Sequence, residues 1–158
     1  MILRGHVLQY DFEESVGYWI VMSAHALQRA LNEELAPHGI TYRQWQVLAW
    51  LALEGSLSQN ELAERMNIEP ATLVSVLARM ERAGWIGRRA CAEDRRKRMV
   101  FPKAKSKAIW EKGIQCAHRV SEHATQGFTA EEREQLKKLL AAVLNNMRQP
   151  QYVEADVA

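Results

Sequence analysis

The stretch SQNELAERMNIEPATLVSVLARMERAGWIGRRACAEDRRKRMVFP, residues 58–102, decides the fold. Ser58 and Glu61 stand at the S-x-x-E spacing of a capping box, so a helix is expected to begin at Ser58. Leu62, Ala63 and Met66 give that helix one apolar face. Asn67 tolerates the left-handed backbone of a sharp turn, and Ile68 can pack back under it. Pro70 suits the first turn of a new helix, where its missing N–H costs nothing. Leu73, Val74, Leu77 and Met80 read as the buried stripe of this second helix, with Ala71, Thr72, Ser75, Val76 and Arg79 on its outer face. Gly84 stands where a helix-ending glycine belongs. Two short strands follow, over 85–89 and 98–101, with Glu93, Asp94, Arg95, Arg96 and Lys97 at the tip between them.

A helix whose outer residues are short, docked on another across a tight turn, is the helix-turn-helix plan, and an appended basic hairpin makes it winged. An ordinary helical hairpin with a solvated face would share the apolar pattern; charge separates the two. Residues 79–107 carry eleven basic side chains against three acidic ones, a net of +8 in a chain whose formal net charge is +2, which leaves −6 for the remainder. One concentrated basic segment in a nearly neutral chain is the electrostatic footprint of a nucleic-acid binder.

The flanking sequence supplies the rest of the architecture. The chain has 158 residues, 47% hydrophobic and 25% charged, an ordinary globular composition. Residues 7–35 read as one long amphipathic helix through Phe12, Val16, Trp19, Ile20, Leu27, Leu31 and Leu35, ended by Pro37-His38-Gly39. A second capping box, Thr41 with Gln44, opens a helix through Val47, Leu48 and Leu51, and residues 56–57 leave room only for a strand stub beside the wing. After Pro102, a helix over about 105–123 shows Ile109, Trp110, Ile114, Ala117 and Val120 on one side. A third box, Thr129 with Glu132, opens a last helix bearing Leu136, Leu139, Leu140, Val143, Leu144 and Met147, which Pro150 ends. The winged region can close its own core, so the terminal helices keep apolar faces that a monomer leaves uncovered. The expected fold is therefore mostly α with a small β-wing: a winged helix-turn-helix over 39–103, dimerisation helices over 7–38 and 104–149, and a loose tail over 150–158. A two-fold homodimer would present two such helices to a palindromic site. No apolar run is long enough for a membrane span or signal peptide, and Cys91 and Cys116 make no disulfide framework, so a reducing cytoplasmic setting is expected.

On residues 58–89 and 91–110 the chain resembles the MarR family of bacterial transcriptional regulators, within it the SlyA-like branch, and the likeness runs over nearly the whole sequence. Its most specific element is the wing motif Asp94-Arg95-Arg96. The resemblance implies that Asp94 braces the wing and Arg96 enters the minor groove of duplex DNA. Where the family usually carries threonine after the second wing strand, this chain has Phe101-Pro102-Lys103, so its fifth helix is expected to begin differently.

The resulting DNA-contact set is Ser58, Gln59, Pro70, Ala71, Thr72, Ser75, Arg79, Asp94, Arg95, Arg96, Lys97 and Arg98. Thr72 and Ser75 can hydrogen-bond base edges, Ala71 can meet a thymine methyl, and the wing cations suit phosphates and narrow minor grooves. The resemblance also implies a small aromatic carboxylate effector between the dimer helices and the winged region, with Tyr18, Trp19, His25, Trp45 and Trp50 (and Trp110 beside them) as candidate lining. Core packing is the competing use of those aromatics. Redox control through Cys91, near Arg88 and Arg89, is the rival trigger. A winged helix that binds only protein is the rival function. Enzymatic motifs are missing: the five histidines are scattered, with no H-E-x-x-H, Gly-rich phosphate loop or G-x-S-x-G. No cofactor or metal is implied.

Overall fold

A computed structural model of the protein describes residues 8, 10–91, 94 and 97–148. The expected helix start at Val7, the stop at Pro150, the tail over 150–158 and the wing residues Arg95 and Arg96 lie outside them. The helices are α1 (Val16–Leu35), α2 (Tyr42–Glu54), α3 (Gln59–Arg65), α4 (Pro70–Arg82), α5 (Ser106–Ala124) and α6 (Ala130–Arg148). The strands are β1 (Leu57–Ser58), β2 (Ile86–Ala90) and β3 (Arg98–Pro102), in the order β1-β3-β2, both pairings antiparallel.

All three capping boxes form. Thr41 accepts from Gln44 N–H while the Gln44 side chain accepts from Thr41 N–H, and Ser58 and Glu61 exchange the same two bonds. Thr129 N–H donates to Glu132 Oε2 at 2.8 Å, and Glu132 N–H donates to Thr129 Oγ1 at 3.2 Å. Each box satisfies two helix-end groups that would otherwise lack partners.

The first helix starts later than its periodicity suggests. Residues 12–14 form a bend and a turn, and Ser15 caps α1 by accepting from Tyr18 N–H. A side-chain cap outcompetes an apolar repeat that continues upstream of it. Gly17 thereby falls in the first turn, not mid-helix.

Three helix ends share one device. At Gly39, Asn67 and Gly84 the backbone turns left-handed, with φ of 72°, 49° and 76°. The residue after each donates its N–H five residues back: Ile40 to Leu35, Ile68 to Ala63 and Trp85 to Met80, at 3.4, 3.0 and 3.0 Å. Gly39, Asn67 and Gly84 each donate three residues back. This is the Schellman pairing, and it folds an apolar residue under the helix it ends. Ile40 is buried, and Ile68 and Trp85 pack against the main core.

The described chain falls into two units, Met1–Ser121 and Glu122–Ala158. In the first, the main core joins Val47, Leu48 and Leu51 of α2, Leu57, Leu62, Met66, Leu73, Val76, Leu77, Met80, Ile86 and Val100. A smaller cluster of Leu35, Ile40 and Cys116, with Leu31, Trp45 and Ile109 against it, seats α5. There Trp45 stacks on Trp110, ring centroids 4.7 Å apart, and crosses Gly113 so closely that a Cβ would lie 2.4 Å from its ring. The second unit contains α6, none of whose residues is buried.

One assignment on α4 is reversed. Val76 is 5% exposed and in the core, whereas Val74 is 46% exposed on the outer side. At about 100° per residue Val76 lies about 65° from the mean direction of Leu73, Leu77 and Met80, and Val74 about 95° from it on the other side. We expect Val76→Ala to lower unfolding stability by about 2 kcal/mol, and Val74→Ala to leave it within about 0.5 kcal/mol, measured by urea denaturation of both variants.

Candidate nucleic-acid interface

The outward arc of α4 exposes Pro70, Ala71, Thr72, Val74, Ser75, Arg79 and Arg82. Ser75 Oγ donates to Thr72 O at 3.3 Å, and Arg79 Nε donates to Ser75 O at 3.2 Å, so the polar side chains lie folded along the helix. Val74 belongs to this surface and escaped the sequence reading, because V-S-V places two similar valines two residues apart. The signal that identifies it is angular: Val76 stands three residues after Leu73 and four before Met80, whereas Val74 keeps such a spacing to Leu77 alone of the three.

The wing is bound to α4. Arg88 Nε on β2 lies 3.3 Å from Glu81 Oε2, an ion pair without hydrogen-bond alignment. Opposite Gly87 in the ladder stands Phe101, whose ring lies where a Cβ at 87 would be, 2.6 Å away. Arg89 covers that ring, its guanidinium 5.2 Å from the centroid. Toward the tip, Cys91 N–H donates to Lys97 O and Lys97 N–H to Asp94 O, each 2.9 Å. Lys97 and Arg98 are exposed. Pro102 ends β3 opposite Ile86, beyond the reach of β1, which pairs only with Met99 and Val100; its missing N–H therefore breaks no ladder bond there. The fifth helix then begins at Ser106, whose buried hydroxyl donates to Lys103 O at 2.8 Å.

At the start of α3, Ser58 is only 7% exposed and its hydroxyl is engaged by Glu61 N–H, so it positions the helix end; Gln59 is half-buried beside it. The Ser58 backbone N–H, then its hydroxyl, hold the Glu61 carboxyl below the ordinary carboxylate value.

The proposed effector residues are not brought together. Tyr18 and Trp19 stand in an edge-to-face series with Tyr10 and Phe12, neighbouring centroids 4.8–5.5 Å apart. Trp45 is spent on its stack with Trp110, and Trp50 packs on the main core. His25 alone of the five lines an open cleft of about 630 Å³, with Gln28, Arg29, Asn32, Thr41, Tyr42 and Arg43. Tyr42 N–H donates across it to Asn32 Oδ1 at 3.1 Å. The sequence signal for this cleft is the i, i+4, i+7 set His25, Arg29 and Asn32 on one face of α1.

Cys91 is half-buried at the wing, and Cys116 is fully buried, its thiol donating to Glu34 O at 3.3 Å. Arg119 bridges the same place, 2.7 Å from Glu34 Oε2, and that bond raises its already high pKa. Among the described residues no three His, Cys, Asp or Glu side chains are grouped to hold a metal ion, and no helix is long and apolar enough to cross a membrane.

The sequence model of the MarR family matches residues 38–97, the span from just past α1 into the wing. A protein of Bacillus subtilis (strain 168) described as the uncharacterized HTH-type transcriptional regulator YwoH is 30% identical over 125 residues, 79% of this chain and 90% of that protein. The chain belongs to the MarR family. It is also 31% identical over 137 residues to the HTH-type transcriptional regulator TtmR of Methylorubrum extorquens (strain PA1), 87% of this chain and 69% of that protein. Among solved structures, a mutant MarR from E. coli complexed with operator DNA matches with a TM-score of 0.71 and 29% identity, over 86% of this chain and 99% of that one. This protein is thus a MarR-type transcriptional regulator with the family's winged helix-turn-helix, not an enzyme. The narrower SlyA-like assignment is not distinguished by these relatives.

Proposed function

We propose that the protein is a homodimeric repressor of palindromic operators in duplex DNA, released by a small aromatic carboxylate. One observation carries the DNA reading: the small, solvent-facing surface of α4 is joined to a wing rich in basic residues. On this reading Ala71, Thr72, Ser75 and Arg79 meet base edges and Pro70 closes against the backbone. Gln59, Lys97 and Arg98 meet phosphates, and Arg95 and Arg96 approach a minor groove with Asp94 as the brace. The E. coli relative bound to operator DNA supports it. The assignment of 39–103 to DNA and of 7–38 and 104–149 to dimerisation follows. The first test is selection of bound duplexes from a random pool: a palindromic consensus is expected, and an unenriched pool defeats the reading.

Dimerisation is supported by uncovered apolar surface. On α6, Leu139, Leu140, Leu144 and Met147 are 47–62% exposed, and on α1 Val16, Trp19 and Val21 are 51–70% exposed. Faces of that kind mark interfaces. Leu140→Asp with Leu144→Asp should yield monomers or insoluble chain in sedimentation velocity, while the parent sediments as a dimer at micromolar concentration.

In the wing, Arg96→Ala should weaken operator binding by about 2–4 kcal/mol over two half-sites, the loss of charge-assisted hydrogen bonds moderated by water. Lys97→Ala should cost less, act on all sequences alike and reduce the salt slope by about one per chain. Anisotropy titrations of one duplex at several salt concentrations separate the two; equal small losses would make the wing a generic basic patch.

For the effector, His25, Arg29, Tyr42 and Arg43 offer a carboxylate two guanidinium groups beside aromatic edges. Salicylate-type acids should raise the melting temperature and weaken DNA binding, because a ligand favouring one conformation draws the population from the other. Arg43→Ala should abolish both effects. A protein indifferent to such acids moves the trigger to oxidation of Cys91.

A further inference from the structure

The outer surface of α4 is divided by chemistry. Thr72 and Arg79 lie along one flank, and Val74 lies on the other, seven residues before Glu81 and hence on the same line of the helix. Glu81 pairs with Arg88 of β2, so this second flank is the one turned toward the wing. The helical neighbours of Val74 at three and four residues are Pro70, Ala71, Leu77 and Ala78; Leu77 is buried. What α4 brings to the surface next to Val74 at these spacings is therefore methyl and methylene groups, from Pro70, Ala71 and Ala78. Among the described residues of α4, Val74 is the large hydrophobic side chain left exposed, at 46%. It is not among the residues of the main core or those packed against it, and a β-branched residue is a poorer helix former than alanine.

Resting on the operator-binding reading, we infer that Val74 is a specificity-determining residue that reads the 5-methyl group of thymine in the major groove. Thymine is the one base that presents a methyl there; guanine, adenine and cytosine present hydrogen-bonding atoms. A strip without donors or acceptors gains by covering a methyl group. Covering the other base edges strips them of water and returns no hydrogen bond, so the same strip selects against them. The branched side chain has few rotamers and presents its two methyl groups in a fixed place, which turns burial into discrimination. The other flank offers the Thr72 hydroxyl and the Arg79 guanidinium, which suit base edges that present hydrogen-bonding atoms.

The test uses the full-length protein and the palindrome enriched from a random pool. Each thymine is replaced in turn, symmetrically in both half-sites, by deoxyuridine, which removes the methyl and keeps every hydrogen-bonding atom. For the parent protein, one symmetric replacement should weaken binding by roughly fourfold per half-site, the value of one buried methyl group. Val74→Ala should bind the parent palindrome more weakly and lose nothing further at that replacement, while responding as the parent does to every other one. Its unchanged thermal melt serves as the folding control. Three results overturn the inference: a consensus with no thymine, a parent indifferent to every replacement, or a Val74→Ala protein that keeps the parent's loss at each position. A pool that enriches no sequence overturns operator binding itself, and the inference with it.

Discussion

The turn at Asn67 is the constraint on which the reading surface depends. Between α3 and α4 the chain reverses over four residues, and it does so because one non-glycine residue holds φ of 49°. Left-handed backbone is unfavourable for most residues and least so for asparagine among those with a side chain. Here it is maintained from both sides: Ile68 N–H is bonded to Ala63 O, and the Ile68 side chain is held against the main core. The same pairing at Gly39 and Gly84 aims the chain into α2 and into β2. Helix direction in the winged region is thus set at three points, each combining a backbone conformation, two hydrogen bonds and an apolar anchor.

Packing then divides the work between helices. Four side chains of α4 face the core, which holds the helix by burial and frees its opposite arc from any structural duty. The wing is attached by several weak contacts. A surface ion pair such as Glu81–Arg88 contributes little alone. Beside it stands the Phe101 ring, which fills the space over Gly87 and is covered by Arg89, a contact that supplies the side-chain packing a glycine in a strand lacks. β1 on the other edge of β3 closes the sheet against α3.

Much of this was legible because it is local. Capping boxes, a proline at a helix start and a residue able to turn left-handed act over three to five residues, and Ser58, Thr41, Thr129, Pro70, Asn67 and Gly84 all do what their spacing implies. The valines of α4 show where this fails: hydrophobicity ranks Val74 and Val76 equally, and only their angle against three other residues tells them apart. The start of α1 failed because an apolar repeat can outrun the helix that contains part of it. The aromatic residues were harder. Whether a tryptophan lines a cleft or stacks on another depends on a partner sixty-five residues away, as for Trp45 and Trp110, and on a glycine at 113 that only the folded chain brings under the ring. The cleft at His25 is lined mostly by charged and amide side chains, with Tyr42 beside them and no tryptophan.

The union of α4 with its hairpin has a mechanical consequence. The helix and the wing are neighbours both in the chain and in space, joined by the short connection at Gly84 and Trp85 and flanked by the pair Glu81–Arg88. Like adjoining teeth of one key, they are cut from a single length of chain, with residues 83–85 alone between them. A change of register between the two is bounded by that length of chain, whatever the weak contacts beside it contribute.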